Sequence, residues 1–402
     1  MNKLNRIYLI FGLILLFPIS SIFLPELVSP LGRINCDMLW MFIGFFLALY
    51  CIFIRRKVVY SATFILVLSY YLYLFVNAGL NGFGDKIIKT EIALYISSLF
   101  VYFLIDNTKF KISDRKNIKK LVVILIVISF IGSLLQYFVD NSLFVNEQTY
   151  QDLSEIDFGQ FWRNGSIFDS LMQNQGGIMF IFLLLGYMYD LRISENKYAF
   201  VPVSMLLICG FLTFTRYVML SQIIIIVVYL WVEYSRSNKK LMYLFMMIAV
   251  VMLILTLNYE SIIHSSFVQD RVLADVSGRS TDPIDFLTNY LTNHNFLFGT
   301  GVSSYMLEYY YGNIRRLHSG FADLFFFGGL FGILIFSSVL YQFHRLALKV
   351  YRINGYTIVL LISPIILLIN LTACLNYFYF LGYIFVYLIL SIESRNDIKE
   401  NV

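Results

Sequence analysis

Apolar runs recur along this chain, each close to the roughly 20 residues that carry a helix across a hydrocarbon core, and short charged or turn-forming stretches separate them. Bounded that way, they fall at about 6–24, 37–54, 58–80, 89–105, 121–139, 171–189, 198–214, 217–234, 241–257, 321–340, 356–372 and 375–391, so twelve spans are expected. Composition agrees: 59% of residues are hydrophobic and 14% are charged, against roughly 45–50% and 25% in soluble domains. A soluble core is excluded. The expected fold is all-α, a polytopic integral membrane protein forming a single transmembrane domain over residues 1–402. The run after Lys3 and Arg6 reads as the first span, because further spans follow and no small-residue cleavage pattern stands out.

The net charge of +5 comes from short basic clusters between the apolar runs, which report topology and not a nucleic-acid surface. With the N-terminus inside, 21 of the 30 Lys and Arg residues fall on the cytoplasmic side. The bias holds along the whole chain and places both termini in the cytoplasm. The four cysteines, Cys36, Cys51, Cys209 and Cys374, lie far apart and mostly within apolar runs, which reads as packing and not as a disulfide framework or a metal site.

Two external segments, about 140–170 and 258–320, are too long to be simple connections, and loops of that length are usually functional. Within the second, Thr281-Asp282-Pro283 followed by Ile284, Leu287 and Leu291 predicts a short surface helix, and Tyr305, Tyr309, Tyr310 and Tyr311 suit the membrane interface. Of the nine basic residues outside, seven are Arg and two are Lys. A guanidinium keeps its charge and grips phosphate oxygens in two places, so the outer side is equipped for an anionic, phosphate-bearing ligand.

Arg216 stands between two apolar runs with almost no loop to carry it into water, so it either snorkels or meets a partner. Arg163, in Phe161-Trp162-Arg163-Asn164-Gly165-Ser166, either binds ligand or pairs with Asp157 or Asp169. His318, beside Arg315 and Arg316 at the mouth of the tenth span, serves either as a general base or as a cap. Gly299-Thr300-Gly301 reads as a loop turn, and Gly328-Gly329 with Gly332 as glycines for close helix packing.

Taken in order, these features resemble the O-antigen polymerase and O-antigen ligase superfamily of membrane glycosyltransferases. The likeness runs from Arg163-Asn164-Gly165-Ser166-Ile167-Phe168 and Asn174 through Thr213-Phe214-Thr215-Arg216, where Thr215 stands in place of the family's usual Ser. It continues through Ser277-Gly278-Arg279 and Leu297-Phe298-Gly299-Thr300-Gly301 to His318, Gly329 and Gly332, covering roughly residues 160–340.

The resemblance implies a metal-independent, cofactor-free glycosyltransferase. Such an enzyme acts on undecaprenyl-diphosphate-linked glycans at the outer face of a bacterial cytoplasmic membrane. It assigns Arg216 and Arg279 to the leaving diphosphate and His318 to the acceptor hydroxyl, with Arg163, Asn174, Arg315 and Arg316 binding substrate. Polymerisation of repeat units into O-antigen or capsule is the expected activity, since the second loop is of moderate length and rich in Tyr and Asn. Ligation of finished glycan to a lipid acceptor is the closest alternative. A flippase or other transporter fits less well, because the spans are almost free of mid-depth charge and no internal repeat is found. A non-enzymatic assembly protein is a third reading. The implied partners are the lipid-linked glycan, membrane lipid, and the chain-length regulator and flippase of the same pathway.

Overall fold

The computed structural model describes residues 10, 12, 27–29, 32–34, 43–46, 48–50, 52–53, 58–81, 89–110, 112–140, 143–144, 166, 175–189, 191, 198–213, 215–234, 296–301, 320–372 and 381–395. Among them the architecture is helical: α1 Ala62–Leu80, α2 Lys89–Asp106, α3 Ile112–Phe138, α4 Gln175–Met188, α5 Phe200–Leu212, α6 Arg216–Tyr234, α7 Gly320–Asn354, a 3-10 turn Thr357–Leu361, α8 Ile362–Thr372 and α9 Leu381–Arg395. Each falls on an expected span. A small antiparallel hairpin, β1 Leu27–Ser29 with β2 Gly32–Ile34, sits in the connection expected between the first two spans. The expected ninth span and the helix near Thr281 lie outside the described residues.

Three of these helices, Ala62–Leu80, Asp114–Phe138 and Gly320–Asn354, are long and apolar enough to cross a membrane. Two overrun their expected bounds. α3 begins at Ile112 and not near 121, and α7 runs to Asn354 and not to 340. The extensions carry Arg115, Lys116, Lys119 and Lys120, and Arg345, Lys349 and Arg352. A run of apolar residues ends at the first charge, whereas the backbone hydrogen-bond ladder continues through charged residues of good helix propensity.

The bundle is inverted relative to a soluble one. On α3, Ile124, Val127, Ile128, Ile131 and Leu135 recur at helical spacing and are exposed, while Ser129, Ser133 and Gln136 on the opposite face are fully buried. Apolar surface costs nothing against lipid, and polar side chains must find partners inside the protein. Fully buried tyrosines, Tyr70, Tyr71, Tyr95, Tyr102, Tyr383 and Tyr387, fill the space between α1, α2 and α9. Tyr71 and Ser98 share a hydrogen bond at 3.2 Å, and Asn370 Nδ2 donates to the Tyr383 hydroxyl at 3.3 Å. Cys209 is buried, as expected of a packing residue.

Glycines set the helix alignment. A Cβ at Gly177 would lie 2.5 Å from Val218 Cγ2, which puts the start of α4 against the start of α6. At Gly382 it would meet Ile178 Cγ2 at 3.1 Å, so α9 also starts at this end. At Gly210 it would meet Gln222 Cδ at 2.5 Å, and Gln222 Nε2 donates to Leu206 O at 2.9 Å, joining the end of α5 to the start of α6.

The opposite end is held by buried polar groups. Asp106 accepts from the Ser61 amide at 3.0 Å and from the Tyr387 hydroxyl at 2.5 Å, tying α1, α2 and α9. Glu393, 1% exposed, pairs with Arg115 Nε at 3.0 Å and accepts from Tyr189 at 2.7 Å and Asn354 at 3.1 Å. Arg115 also donates to the Tyr356 hydroxyl and stacks 5.2 Å from that ring. Five segments converge on this one carboxylate network. Arg115→Met should cost on the order of 3 kcal/mol by stranding a buried carboxylate, read as a lower melting temperature in detergent. Adding Glu393→Gln should recover part of the loss; an unchanged melting temperature for Arg115→Met would contradict this role.

Candidate functional site

The end of the bundle away from Glu393 gathers the starts of α4, α6, α7 and α9 and the ends of α1, α3 and α5. Arg216 is the first residue of α6. The two threonines before it shape the turn: Thr213 Oγ1 donates to Gly210 O at 2.7 Å, and Thr215 Oγ1 donates to Thr213 O at 2.9 Å. The Thr215 amide donates to Thr213 Oγ1 at 3.3 Å, while its carbonyl accepts the Val218 and Met219 amides at 3.1 and 3.2 Å. A hydroxyl is what position 215 needs, so Thr serves there as Ser would. A cation at a helix N-terminus is disfavoured by roughly 0.3–1 kcal/mol, so helix stability alone does not select a basic residue at the first position of α6.

Arg163, Asn174, Arg279, Arg315, Arg316 and His318 lie outside the described residues, but three of them adjoin described ones. Asn174 directly precedes α4, whose start packs on Val218 of α6, two residues from Arg216. His318 stands two residues before Gly320, the first residue of α7. Arg163 stands three residues before Ser166. Ser166 is fully buried with φ 58°. Its amide donates to Gln136 Oε1 at 2.7 Å and its hydroxyl to Ser129 O at 2.9 Å. The same Gln136 side chain donates through Nε2 to Leu143 O at 2.6 Å. One buried amide therefore closes both ends of the excursion from Leu143 to Ser166 onto α3.

The glycine groups correct the sequence reading. Gly329, with φ 58° and ψ −161°, breaks α7, and Gly299-Thr300-Gly301 fills the break. Thr300 and Gly301 amides donate to Phe326 O at 3.0 Å and Phe327 O at 2.8 Å. Beyond the break, the Leu330 and Phe331 amides donate to Phe296 O at 3.1 Å and Leu297 O at 3.0 Å. From α1, the Tyr73 hydroxyl lies 2.8 Å from Gly328 O and 2.6 Å from Phe298 O and shares its one hydrogen between them, and Asn77 donates to Phe298 O as well. Asn81 adds a bond to Thr300 O at 3.3 Å. Phe326 O, Phe327 O, Gly328 O and the Leu330 and Phe331 amides, all beside the break, thus find partners outside the helix ladder, as a lipid environment demands.

The break sits roughly 14 Å along the axis from Gly320 at 1.5 Å per residue, so residues 296–301 reach into the bundle well past the start of α7. Its outer surface, Phe296, Leu297 and Phe298, is 45–49% exposed and apolar, with Phe298 stacked on Phe331 at 5.2 Å.

Polar residues inside apolar spans were the available signal for these tethers: Gln136 and Asn77 each stand within such a run and need a partner there. A Cβ at Gly329 would lie 2.5 Å from Gly299 N, and one at Gly299 would lie 2.5 Å from Gly329 N, whereas one at Gly332 meets Tyr73 Cε1 at 3.5 Å, an ordinary contact. Gly299→Ala and Gly329→Ala should each lower melting temperature and folded yield, by about 2 kcal/mol or more including the left-handed backbone penalty. Gly332→Ala should be tolerated. Equal effects at all three positions would contradict the interlock.

No curated protein matches the chain. The sequence model of the family described as O-antigen ligase matches residues 201–337 of the 402, a segment that contains the Thr213–Arg216 turn, both halves of the glycine interlock and the whole first half of α7. That match supports the likeness to the O-antigen ligase and polymerase superfamily and marks the chain as a glycosyltransferase-like membrane enzyme of glycan biosynthesis.

Proposed function

We propose that this protein polymerises undecaprenyl-diphosphate-linked oligosaccharide repeat units into a surface polysaccharide, O-antigen or capsule, at the outer face of a bacterial cytoplasmic membrane. The observation that carries the proposal is Arg216, held by a two-threonine turn at the start of α6, inside the matched segment and at the end of the bundle away from the Arg115–Glu393 network. The positive-inside bias assigns that end to the outside, with both termini cytoplasmic.

An acceptor sugar hydroxyl attacks the anomeric carbon of the donor. The new C–O bond forms as the bond from that carbon to the diphosphate oxygen breaks, and His318 takes the hydroxyl proton. Negative charge grows on the departing undecaprenyl diphosphate. Arg216 and Arg279 stabilise it in a site of low dielectric, so the guanidinium groups supply the charge without a metal. Arg163 is a third contact, and Asn174, Arg315 and Arg316 hold the glycan and its diphosphate. A chain-length regulator and a flippase of the same pathway are the proposed partners.

Ligation of finished polymer to a lipid acceptor uses the same groups, and the description of the matching family favours it as the second reading. A gel of surface glycans from a strain lacking the chain separates the two. A missing ladder with single repeats still attached means polymerase; missing attached glycan with polymer retained on lipid diphosphate means ligase. Arg216→Ala should cut transfer on the order of 10²–10³-fold, as loss of a charge-stabilising donor does. Arg216→Lys should recover only part, since lysine lacks the fork. An unchanged ladder from the Arg216→Ala copy would overturn the assignment.

A further inference from the structure

At the end of the bundle that holds the Arg115–Glu393 network, α3 and the close of α4 enclose a cleft of about 540 Å³ that glycan transfer does not use. Its described lining has two parts. Lys119 and Lys120 of α3 stand exposed at the mouth, and Val123 and Ile124 of the same helix carry an apolar floor toward the membrane interior. From Lys119 to Ile124 is roughly 7.5 Å along the axis at 1.5 Å per residue. Tyr187 and Leu191 form the facing wall, and neighbouring helices hold it in place. The Tyr187 hydroxyl donates to Ala199 O at 3.1 Å, and the Tyr229 hydroxyl of α6 donates to Leu191 O at 3.0 Å. Behind the wall, a Cβ at Gly186 would lie 2.8 Å from Ile389 Cδ1, so α4 is seated tightly on α9 and the opening stays on the α3 side. The basic residues of α3 divide by role. Arg115 is spent on Glu393, whereas Lys119 and Lys120 are the only charged side chains among the described residues of the cleft. A topology signal needs charge on one side of the membrane and is indifferent to what lies beneath it. Two ammonium groups over an apolar cleft open to lipid, within the roughly 300–1,000 Å³ of ligand sites, call for an amphipathic anion.

We infer that this cleft binds one anionic glycerophospholipid of the cytoplasmic leaflet, its phosphate at Lys119 and Lys120 and the upper part of an acyl chain along Val123 and Ile124. A bare phosphate would leave the apolar floor uncovered, and a lipid without net charge would leave the two ammonium groups unmatched. The site lies at the opposite end of the bundle from Arg216 and outside the matched segment 201–337. It takes only the leaflet from the proposed function; whether the protein transfers glycan does not bear on it.

The test is native mass spectrometry of the purified full-length protein, shown to be folded by its melting temperature in detergent. It is titrated with phosphatidylglycerol and, separately, with phosphatidylcholine of the same acyl chains. The wild type should hold one phosphatidylglycerol more tightly than phosphatidylcholine by about 25-fold, since each lysine near a lipid phosphate contributes on the order of fivefold. Lys119→Gln combined with Lys120→Gln should abolish that preference. Lys349→Gln combined with Arg352→Gln removes the same charge from the exposed end of α7, away from the cleft, and should leave the preference intact. Val123→Phe fills the floor without touching a charge and should weaken retention. Equal retention of the two lipids by the wild type, a preference that survives loss of Lys119 and Lys120, or an equal loss in the α7 pair would each overturn the inference. So would displacement of phosphatidylglycerol by millimolar inorganic phosphate, which would mark a site for a bare anion. Glycan transfer is not read in this experiment, so its failure leaves the proposed function standing.

Discussion

Lipid supplies no hydrogen bonds, and the break at Gly329 shows what that constraint demands. Five backbone groups around it would be orphaned; each is met by Phe296–Gly301 or by Tyr73 of α1. Unmet, each would cost several kcal/mol in hydrocarbon. The rest of the outer end follows from that accounting. Residues 296–301 have to enter the bundle to fill the break, α1 has to carry Tyr73, Asn77 and Asn81 on one face, and positions 299, 301 and 329 have to lack a Cβ. The excursion that continues from Gly301 therefore leaves from the flank of α7 and returns to the start of the same helix.

The two ends of the bundle use charge differently. At one, Glu393 and Arg115 neutralise each other among Tyr189, Asn354 and Tyr356, a closed network whose work is to join helices. At the other, Arg216 opens a helix where its charge opposes the dipole. The Arg115–Glu393 pair is complete within the protein, whereas in the proposed function the guanidinium of Arg216 is there for an anion that arrives from outside. That asymmetry matches a reaction whose barrier lies in charge building on a leaving diphosphate, where fixed guanidinium and amide groups need no reorganisation as the bond breaks.

The spans were legible in the sequence because a hydrocarbon core of fixed thickness sets the length of every apolar run. Their ends were not: α3 and α7 carry helix on through Arg115, Lys116, Arg345 and Lys349, where hydropathy stops but the backbone ladder does not. Arg216 was legible because only a few residues separate two spans there, leaving the charge nowhere else to go. The glycines were misread, since Gly328-Gly329 looks the same whether it lets helices approach or breaks one, and the choice depends on Gly299, some thirty residues earlier in the chain. Gln136 and Asn77 were passed over in the sequence: a lone amide in an apolar run needs a partner, but the run does not say that the partners are Ser166 and Phe298. Arg163, Arg279, Arg315 and His318 were singled out by residue type, order and the resemblance, and they lie outside the described residues.

The most direct measurement is glycan transfer by the purified protein alone in lipid vesicles, supplied only with undecaprenyl-diphosphate-linked repeat units and followed by mass spectrometry of the lipid-linked products. The expected result is a series of glycans longer by whole repeats, with free undecaprenyl diphosphate released in equal amount, both lost in the Arg216→Ala protein. Donor left intact by protein shown to be folded, or elongation that persists without Arg216, would contradict the assignment of this end of the bundle to diphosphate-leaving glycosyl transfer.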